Sequence, residues 1–550
     1  MQPVLNVEDV RSVERALTRE GVSVSELMHR AGNAVSQEVL HMDDVSRVVV
    51  LCGMGNNGGD GWVAAQELLG SGVDVTVVSA VPPERLKSDL ALMVAKGAVD
   101  AGVPVVVAPP RDVLEEMLTD ADVVVDAILG TGFHGSPTTP FDIWIDVVNG
   151  SGARVVAADV PSGLSAQTGH ASSATVFADV TVTMIALKPG LLADEGRDAC
   201  GAIVIAPLAE QTERLVLDAD PVAWRAELPD YIDVVPAPTN VVDKYTRGSV
   251  LVVAGSTRYP GAAIMAARAA ARAGAGYVTL AVPACVAPVV QAHMVEIPVV
   301  PLPCDAAEGT FSDEAAEVAA KLAERAGAVV VGPGMRVNAA TVGVCSALLA
   351  TQAPLVMDAD ALNCLARLTS NCLDNFPELI RREAPLVLTP HRRELGRLMG
   401  LPDTPPDSLT SALEAARRIV WSDGGSELAI VAKGTATACV GVEAALLPKP
   451  GPASLATAGS GDVLSGIVGA LLARGLDDMA RLPLLCALAC EVHGRAAGIA
   501  AERFGSSGVM ATDIIDCVGL AADSVERCAA LGVPTPEMAD AMSDEEKSNA

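Results

Sequence analysis

Nowhere in the 550 residues does an uninterrupted apolar run approach the ~20 positions that span a bilayer. The longest, such as Val463–Ala473 (VLSGIVGALLA), reach about half that span and contain Ser and Gly. The positive mean hydropathy, +0.38, therefore comes from Ala and Val, as in buried parallel strands. Basic charge is scarce as well: 38 Lys and Arg stand against 68 Asp and Glu, a net charge of -30. This excludes a general nucleic-acid binder, whose affinity rests on neutralising phosphates, and an anionic membrane surface as partner. A phosphorylated small molecule stays open, because a Gly-rich loop binds phosphate through backbone N–H groups. Gly 49 and Pro 35 follow no triplet period, which removes collagen-like and low-complexity classes, and a 50% hydrophobic share removes a mainly disordered chain. The 12 Cys are scattered without a C-x-x-C pair, the pattern of small buried hydrophobes in a reducing compartment. MQPVLNVEDVRSVERALTRE holds no basic region followed by an apolar stretch, so a cytoplasmic location is expected.

The length calls for two or more domains. In the first part, Arg47–Cys52, Val73–Ser79, Asp122–Ala127 and Arg154–Asp159 read as strands apolar on both faces, and a helical stretch starts at Trp62. That rhythm predicts a parallel sheet covered by helices. It breaks over a stretch rich in Pro, Asp and Glu, then restarts with strand Ser249–Ala254, an Ala-rich helix over Gly261–Ala273 and strand Tyr277–Val282. Later strands end at Gly332, Asp358, Thr389 and Lys433, each followed by a polar or Gly-rich turn. Together with GSTRYPG after the first of these strands, the turns GPGM, DADALN, TPHRRE and KGTAT form the expected site, because loops at the carboxyl ends of parallel strands carry function. The expected division is a domain over 1–215, a linker over 216–240, a domain over 241–535 and a disordered acidic tail over 536–550.

The sharpest motif is Gly53-Met54-Gly55-Asn56-Asn57-Gly58-Gly59-Asp60-Gly61, between a strand and a helix. Glycines let the backbone approach a ligand, and N–H groups at a helix start face an anion. The order of residues departs from G-x-G-x-x-G, and Asp74 precedes its strand instead of ending it, against an ordinary NAD fingerprint. Asp126 in DAILGTG and Asp159 in DVPSGL end two further strands. Asn57, Asp126 and Ser162 could jointly offer oxygen ligands to a cation, and Asp159 could act as general acid or base; the alternative is that these Asp cap turns. In the second half, Ala458-Gly459-Ser460-Gly461-Asp462 opens a helix. Small residues there make an anion hole, and an Asp just inside can deprotonate a hydroxyl, a combination suited to phosphoryl transfer to an alcohol.

GNNGGDG, DAILGTG and DVPSGL, with Leu27-Met28-His29-Arg30-Ala31-Gly32 upstream, resemble the NAD(P)H-hydrate epimerase family over about residues 1–215. The resemblance implies a Rossmann-like three-layer α/β/α domain. It places Asn56, Asn57, Gly58, Gly59 and Asp60 on the hydrated dinucleotide, with Gly130, Thr131, Gly132, Phe133, His134, Gly135 and Ser136 lining it. It puts K⁺ on Asn57, Asp126 and Ser162, and Asp159 at the reacting nicotinamide. His134 stands where some members carry Lys. AGSTRYPGAA, VVGPGM, MDADALN, LTPHRRE, AKGTAT and ATAGSGDVLSG resemble the ADP/ATP-dependent NAD(P)H-hydrate dehydratase family, of ribokinase-like α/β fold, over about 245–530. Here Gly332-Pro333-Gly334-Met335-Arg336 replaces the frequent G-P-G-L-G. By this resemblance Ala262, Gly334, His391 and Asp462 contact the hydrate, and Lys433, Gly434, Thr435, Ala436, Thr437 and Gly461 surround the adenine nucleotide.

Both families on one chain imply repair of hydrated nicotinamide dinucleotides, NADHX and NADPHX. The first half would interconvert R and S hydrates. The second would phosphorylate the S hydrate and expel phosphate, with Asp462 taking the hydroxyl proton and ADP, carried with Mg²⁺, as donor. The residues do not separate ADP from ATP. A homo-oligomer is expected. The rival readings are a ribokinase-type kinase with an accessory domain, which leaves GNNGGDG and DVPSGL unexplained, and a binding protein, which leaves Asp159 and Asp462 unexplained.

Overall fold

The β-branched runs of the first half become seven strands: β1 (Arg47–Cys52), β2 (Asp74–Ser79), β3 (Val105–Val107), β4 (Val123–Ala127), β5 (Arg154–Ala158), β6 (Val180–Met184) and β7 (Ala202–Ala206). In this computed structural model, which describes residues 1–235, 244, 247–369, 380, 382–422 and 427–531, they form one sheet in the order β3-β2-β1-β4-β5-β6-β7. Every neighbouring pair is parallel. Alternate residues of β1 serve the two faces. Val48, Val50 and Cys52 bury against Trp62 and Leu68, and Val49 and Leu51 against Trp144 and Ile145. The order reverses between β1 and β4, so the loops leaving their carboxyl ends diverge and open a crevice there.

The chain divides into two compact units, one of Gln2–Ala223 with Ser408–Thr410, the other of Trp224–Asp407 with Ser411–Ala550 and Met1. The division falls at 223/224, and residues 216–233 are not an extended linker. Thr212–Asp218 is helical, Ala223–Arg225 (β8) pairs through Trp224 and Arg225 with Leu446 and Leu447, and Tyr231 is fully buried. Apolar residues in this Pro- and acid-rich stretch dock it. The tail expected over 536–550 lies outside the described residues, as do 236–240.

The second unit continues with β9 (Ser249–Val253), β10 (Tyr277–Pro283), β11 (Val299–Leu302), β12 (Ala328–Val331), β13 (Leu355–Met357), β14 (Leu386–Leu388), β15 (Leu428–Ala432), β16 (Ala438–Val440) and β17 (Ala445–Leu447). Their order is β8-β17-β16-β15-β14-β13-β12-β9-β10-β11. The β15–β16 and β16–β17 pairs are antiparallel, so the sheet is mixed. The long parallel block, β11 to β15, sends the ends of β9, β12, β13, β14 and β15 to one edge. Helix Ser460–Leu472 packs closely on Pro260–Arg272: a Cβ at Gly466 would sit 2.3 Å from the Ala266 carbonyl. The apolar run Val463–Ala473 is thus core. The longest apolar helix, Leu482–Phe504, is likewise a core helix, with 15 buried residues on it.

Candidate active sites

In the first unit the glycine-rich motif is not a loop. Helix Asn56–Gly70 begins inside it, six residues before the expected start at Trp62. Its glycines are there for close approach. A Cβ at Gly58 would lie 2.0 Å from the Gly53 carbonyl, one at Gly59 2.5 Å from Met28 Cε, and one at Gly61 2.5 Å from Ala127 Cβ. Gly58 and Gly59 are therefore packing positions beneath the site, while Asn56, Asn57 and Asp60 line a cavity of about 700 Å³. Gly130, Thr131, Gly132 and Phe133 line it too; His134, Gly135 and Ser136 are exposed and do not reach it. Arg11, Glu14, Met28, Lys87 and Met184 complete much of the wall, and no motif in the sequence marks their side chains for a role.

Asp159 follows β5 with φ +66°, a left-handed backbone that few L-residues hold without support. Its Oδ1 accepts from Lys188 Nζ at 2.7 Å and from the Met184 N–H at 3.4 Å, and its Oδ2 from the Thr131 N–H at 3.4 Å. Burial pushes the Asp159 carboxyl up, but the Lys188 ammonium and these donors outweigh it and hold it below the ordinary value. Asp60 moves the opposite way. Burial, then the charges of Asp159 and Glu14, raise it well above the usual carboxylate range. Glu14 is also raised, by burial and by Asp159. The cavity thus sets an ionised carboxylate beside acids inclined to stay protonated.

Behind it, Asp126 and Ser162 are brought together. Both are fully buried. Ser162 donates to Asp126 through Oγ at 2.6 Å and its N–H at 2.7 Å, and Ser162 Oγ accepts from the Leu129 N–H at 2.8 Å. Burial drives Asp126 up to about 6, against the Ser162 hydrogen bonds. The following residue, Gly130, closes over Asn57: a Cβ there would lie 3.2 Å from Asn57 Oδ1. Asn57 Nδ2 is buried without a hydrogen-bond partner. An amide placed there can equally present its oxygen, so half-buried Asn57, against the residue that follows the Ser162-bonded Leu129, adds an oxygen donor near the buried Asp126–Ser162 pair.

In the second unit the turns gather around an ion pair. Lys433 Nζ donates to Asp358 Oδ1 at 2.8 Å, and the Asp358 side chain is almost completely buried. Burial disfavours the Lys433 charge, but Asp358 and Glu394 prevail and its pKa rises. Asp462, in the first turn of helix Ser460–Leu472, is pushed up to about 7 by burial and by Asp358, with Lys433 opposing. Gly461 fits against the ion pair: a Cβ there would stand 3.3 Å from Lys433 Nζ and 3.9 Å from Asp358 Oδ2. Gly459 precedes the helix at φ +91°. His391 caps helix Arg392–Leu398; its Nδ1 accepts from the N–H groups of Arg393 and Glu394 at 3.1 and 3.3 Å, and its Nε2 lies 3.4 Å from Glu394 Oε1. Burial and Lys433 lower the His391 pKa, and burial raises Glu394 to about 7. Gly434 and Thr435 are exposed on the turn after β15, Ala436 is buried and Thr437 half-buried, and Lys433 is bonded into the cluster.

Gly334 and Ala262 come together: a Cβ on Gly334, at φ +65°, would lie 3.0 Å from Ala262 Cβ. Arg336, at the last position of GPGMR, adopts φ +64°. That explains why glycine suits this position. Here the Arg336 N–H is anchored on Asp360 Oδ2 at 2.8 Å and its guanidinium on the Glu308 carbonyl, which hold the strained turn.

Two α/β units, each with a lysine paired to a carboxylate just after a strand at the site edge of its sheet, define a two-site α/β enzyme. The profile of the family described as NAD(P)H-hydrate dehydratase matches residues 250–519, and that described as YjeF-related protein N-terminus matches 24–190. The bifunctional NAD(P)H-hydrate repair enzyme of Salinibacter ruber is 35% identical over 541 residues, covering 94% of this chain and 95% of its own. That of Escherichia coli is 34% identical over 552 residues, covering 99% and 96%. The chain belongs to the family of bifunctional NAD(P)H-hydrate repair enzymes. Among solved structures, the ADP/ATP-dependent NAD(P)H-hydrate dehydratase of Bacillus subtilis co-crystallised with ATP/Mg²⁺ is 24% identical, covers 54% of this chain and 97% of its own, and superposes with a TM-score of 0.44.

Proposed function

We propose that the first unit epimerises the R and S hydrates of NADH and NADPH at Asp159, and that the second dehydrates the S hydrate at Asp462 with ADP. Inverting the hydrated carbon requires breaking and remaking its bond to the ring nitrogen, which opens to a carbonyl with a proton taken up at nitrogen, as the hydroxyl gives up its own proton. Asp159, kept ionised, accepts it, and Asp60 and Glu14 are the acids available across the cavity. Asn56, Asn57, Asp60 and the Gly130–Phe133 turn hold the dinucleotide. K⁺ would be held by Asn57, Asp126 and Ser162 and would supply positive charge behind the ligand loop.

In the second unit Asp462 takes the proton of the hydrate hydroxyl as the oxygen attacks the terminal phosphorus of ADP. The Gly459–Gly461 N–H groups face the transferred phosphoryl group. Loss of phosphate from the phosphorylated hydrate then restores the ring double bond. No three Asp, Glu, His or Cys converge into a metal cage among the described residues, so Mg²⁺ would be held chiefly by the nucleotide phosphates, whose charge it neutralises. Lys433 and Gly461 flank the nucleotide, and Ala262, Gly334 and His391 the hydrate. A cytoplasmic, self-associated enzyme is part of this reading; the eleven described cysteines, all free, support a reducing compartment.

The observation that carries the reading is Asp462, at the mouth of a glycine-lined helix start and poised near neutrality by its surroundings. Incubating the protein with NADHX and ADP while following the NADH absorbance band tests it. NADH should return with release of AMP and phosphate. Nucleotide consumption only with a vitamin or sugar alcohol would replace it with the kinase reading. Asp126→Ala should remove K⁺ dependence from epimerisation and leave dehydration unchanged; equal K⁺ dependence in the variant would reject the cation assignment.

A further inference from the structure

Lys188 lies in Met184-Ile185-Ala186-Leu187-Lys188-Pro189-Gly190-Leu191-Leu192, an otherwise uncharged and largely apolar run, and its side chain is completely buried. A buried ammonium costs several kcal/mol unless its protons and charge are matched. Here Nζ donates to Asp159 Oδ1 at 2.7 Å, Thr183 Oγ1 at 2.8 Å and the Met184 carbonyl at 3.0 Å. An ammonium has three protons, so all are spent within the protein and none is left for a ligand. Lys188 is also absent from the cavity wall, whereas Asp159 lines it. The lysine therefore touches the carboxylate from behind.

The carboxylate needs that contact. Asp159 sits on a left-handed backbone, where its N–H bonds the Val182 carbonyl at 2.7 Å and the next N–H, from Val160, bonds Ala158 at 2.8 Å. Its Oδ1 is anchored, while Oδ2 has only the long Thr131 N–H contact and is left to the cavity. The charged groups facing this space are Glu14, Arg11 and Arg15 from helix Val7–Arg19, Asp60 from helix Asn56–Gly70, and Lys87. Glu14 and Asp60 supply no positive charge to Asp159. The arginines reach other partners, Arg11 the Thr131 carbonyl at 3.2 Å and Arg15 Glu8 at 3.0 Å. Lys188 is the cation in hydrogen-bond contact with the Asp159 carboxylate.

We propose that Lys188 is a positioning residue of the epimerisation site, whose buried ammonium clamps one Asp159 oxygen and keeps a negative charge on the other, facing the bound hydrate. This deepens the epimerase reading and rests on Asp159 being its proton acceptor. The lysine itself exchanges no proton with the substrate.

The test uses the full chain with R hydrate, saturating ADP and limiting epimerisation, measured from pH 5 to 9. Lys188→Met and Lys188→Gln, the second keeping a hydrogen-bond donor without charge, should both raise the acid limb of the epimerisation profile from below this range to near neutrality. Epimerisation should fall at least tenfold at pH 6 and recover substantially at pH 9. Direct conversion of S hydrate in the same samples should be unchanged. A loss uniform in pH, with the acid limb in place, would mean that Lys188 is only structural and would overturn the proposal. If Lys188→Met does not fold, Lys188→Gln with the pair-neutral double variant Lys188→Met/Asp159→Asn reports instead: the double variant should regain folding without activity, and a folded Lys188→Gln with an unshifted limb rejects the proposal. Asp159→Asn alone separates the two levels. If it epimerises at the normal rate, the Asp159 reading fails, whatever the Lys188 variants do.

Discussion

The two sites use the same pair of groups in opposite ways. In each, a lysine is paired with an aspartate that follows a sheet strand: Lys188 with Asp159 after β5, Lys433 with Asp358 after β13. In the first unit the paired aspartate is the one that lines the cavity, and the pairing holds it below the ordinary carboxylate pKa. In the second the paired aspartate is buried, and its charge helps push a neighbour, Asp462, up to about 7. One arrangement makes a base held below its ordinary pKa; the other makes a base that titrates near neutrality. A direct ion pair and an ion pair one group removed thus set two different proton chemistries.

Removing the titrating group should have the largest effect. Asp462→Asn should lower dehydration by ~10²-fold or more, the loss expected for a positioned proton acceptor, with epimerisation intact. Near-normal dehydration in steady state would take Asp462 out of the mechanism. Breaking the second pair comes next. Lys433→Met leaves Asp358 charged and buried and should cost roughly 3–5 kcal/mol in stability, read from denaturant unfolding; an unchanged midpoint would show that the pair is not structurally significant.

A smaller effect sharpens the contrast without mutation. Dehydration should rise about tenfold per pH unit below about 6.5 and level above about 7, because Asp462 must lose its proton first. Epimerisation, served by a carboxylate below its ordinary value, should show its acid limb well below that of dehydration. Coincident limbs would erase the distinction. The smallest effect is on stability. Asp462 and Glu394, both raised to about 7, hold protons in the folded state that the unfolded chain releases nearer pH 4. Their contribution is full below the unfolded value and is lost as pH rises through about 7, so the second unit's unfolding temperature should drop by a few degrees between pH 5 and 8. Asp462→Asn should reduce that drop; an unchanged slope would argue against the raised carboxyl.

Much of this was legible in the sequence wherever one residue type has one cause. Arg47–Cys52 is both the expected and the observed strand, and the strands expected to end at Gly332, Asp358, Thr389 and Lys433 each end one residue earlier. The last residue in each case is where the chain turns into the site, and Gly332 at φ +125° illustrates it. GNNGGDG was legible as a site but not as a helix start, because glycines that permit close packing look the same as glycines that permit a loop. Lys188 was missed although a lone lysine in an apolar run is itself a signal. Its partner is 29 residues away, and that of Lys433 is 75 away, distances over which spacing conveys nothing about contact. The antiparallel turn from β15 through β17 was missed because short strands that follow one another with no helix between them depart from the strand–helix rhythm.

The fate of a mixed R and S hydrate supplied to the full chain with ADP tests the two-site assignment most directly. The intact protein should return all of it to NADH in one phase, because epimerisation at the first site feeds the stereospecific second. Asp159→Ala should convert the S fraction at the normal rate and leave the R fraction to spontaneous epimerisation, giving a fast phase followed by a slow one. A single fast phase in the variant would contradict the assignment of Asp159, and loss of the fast phase as well would contradict the independence of the two sites.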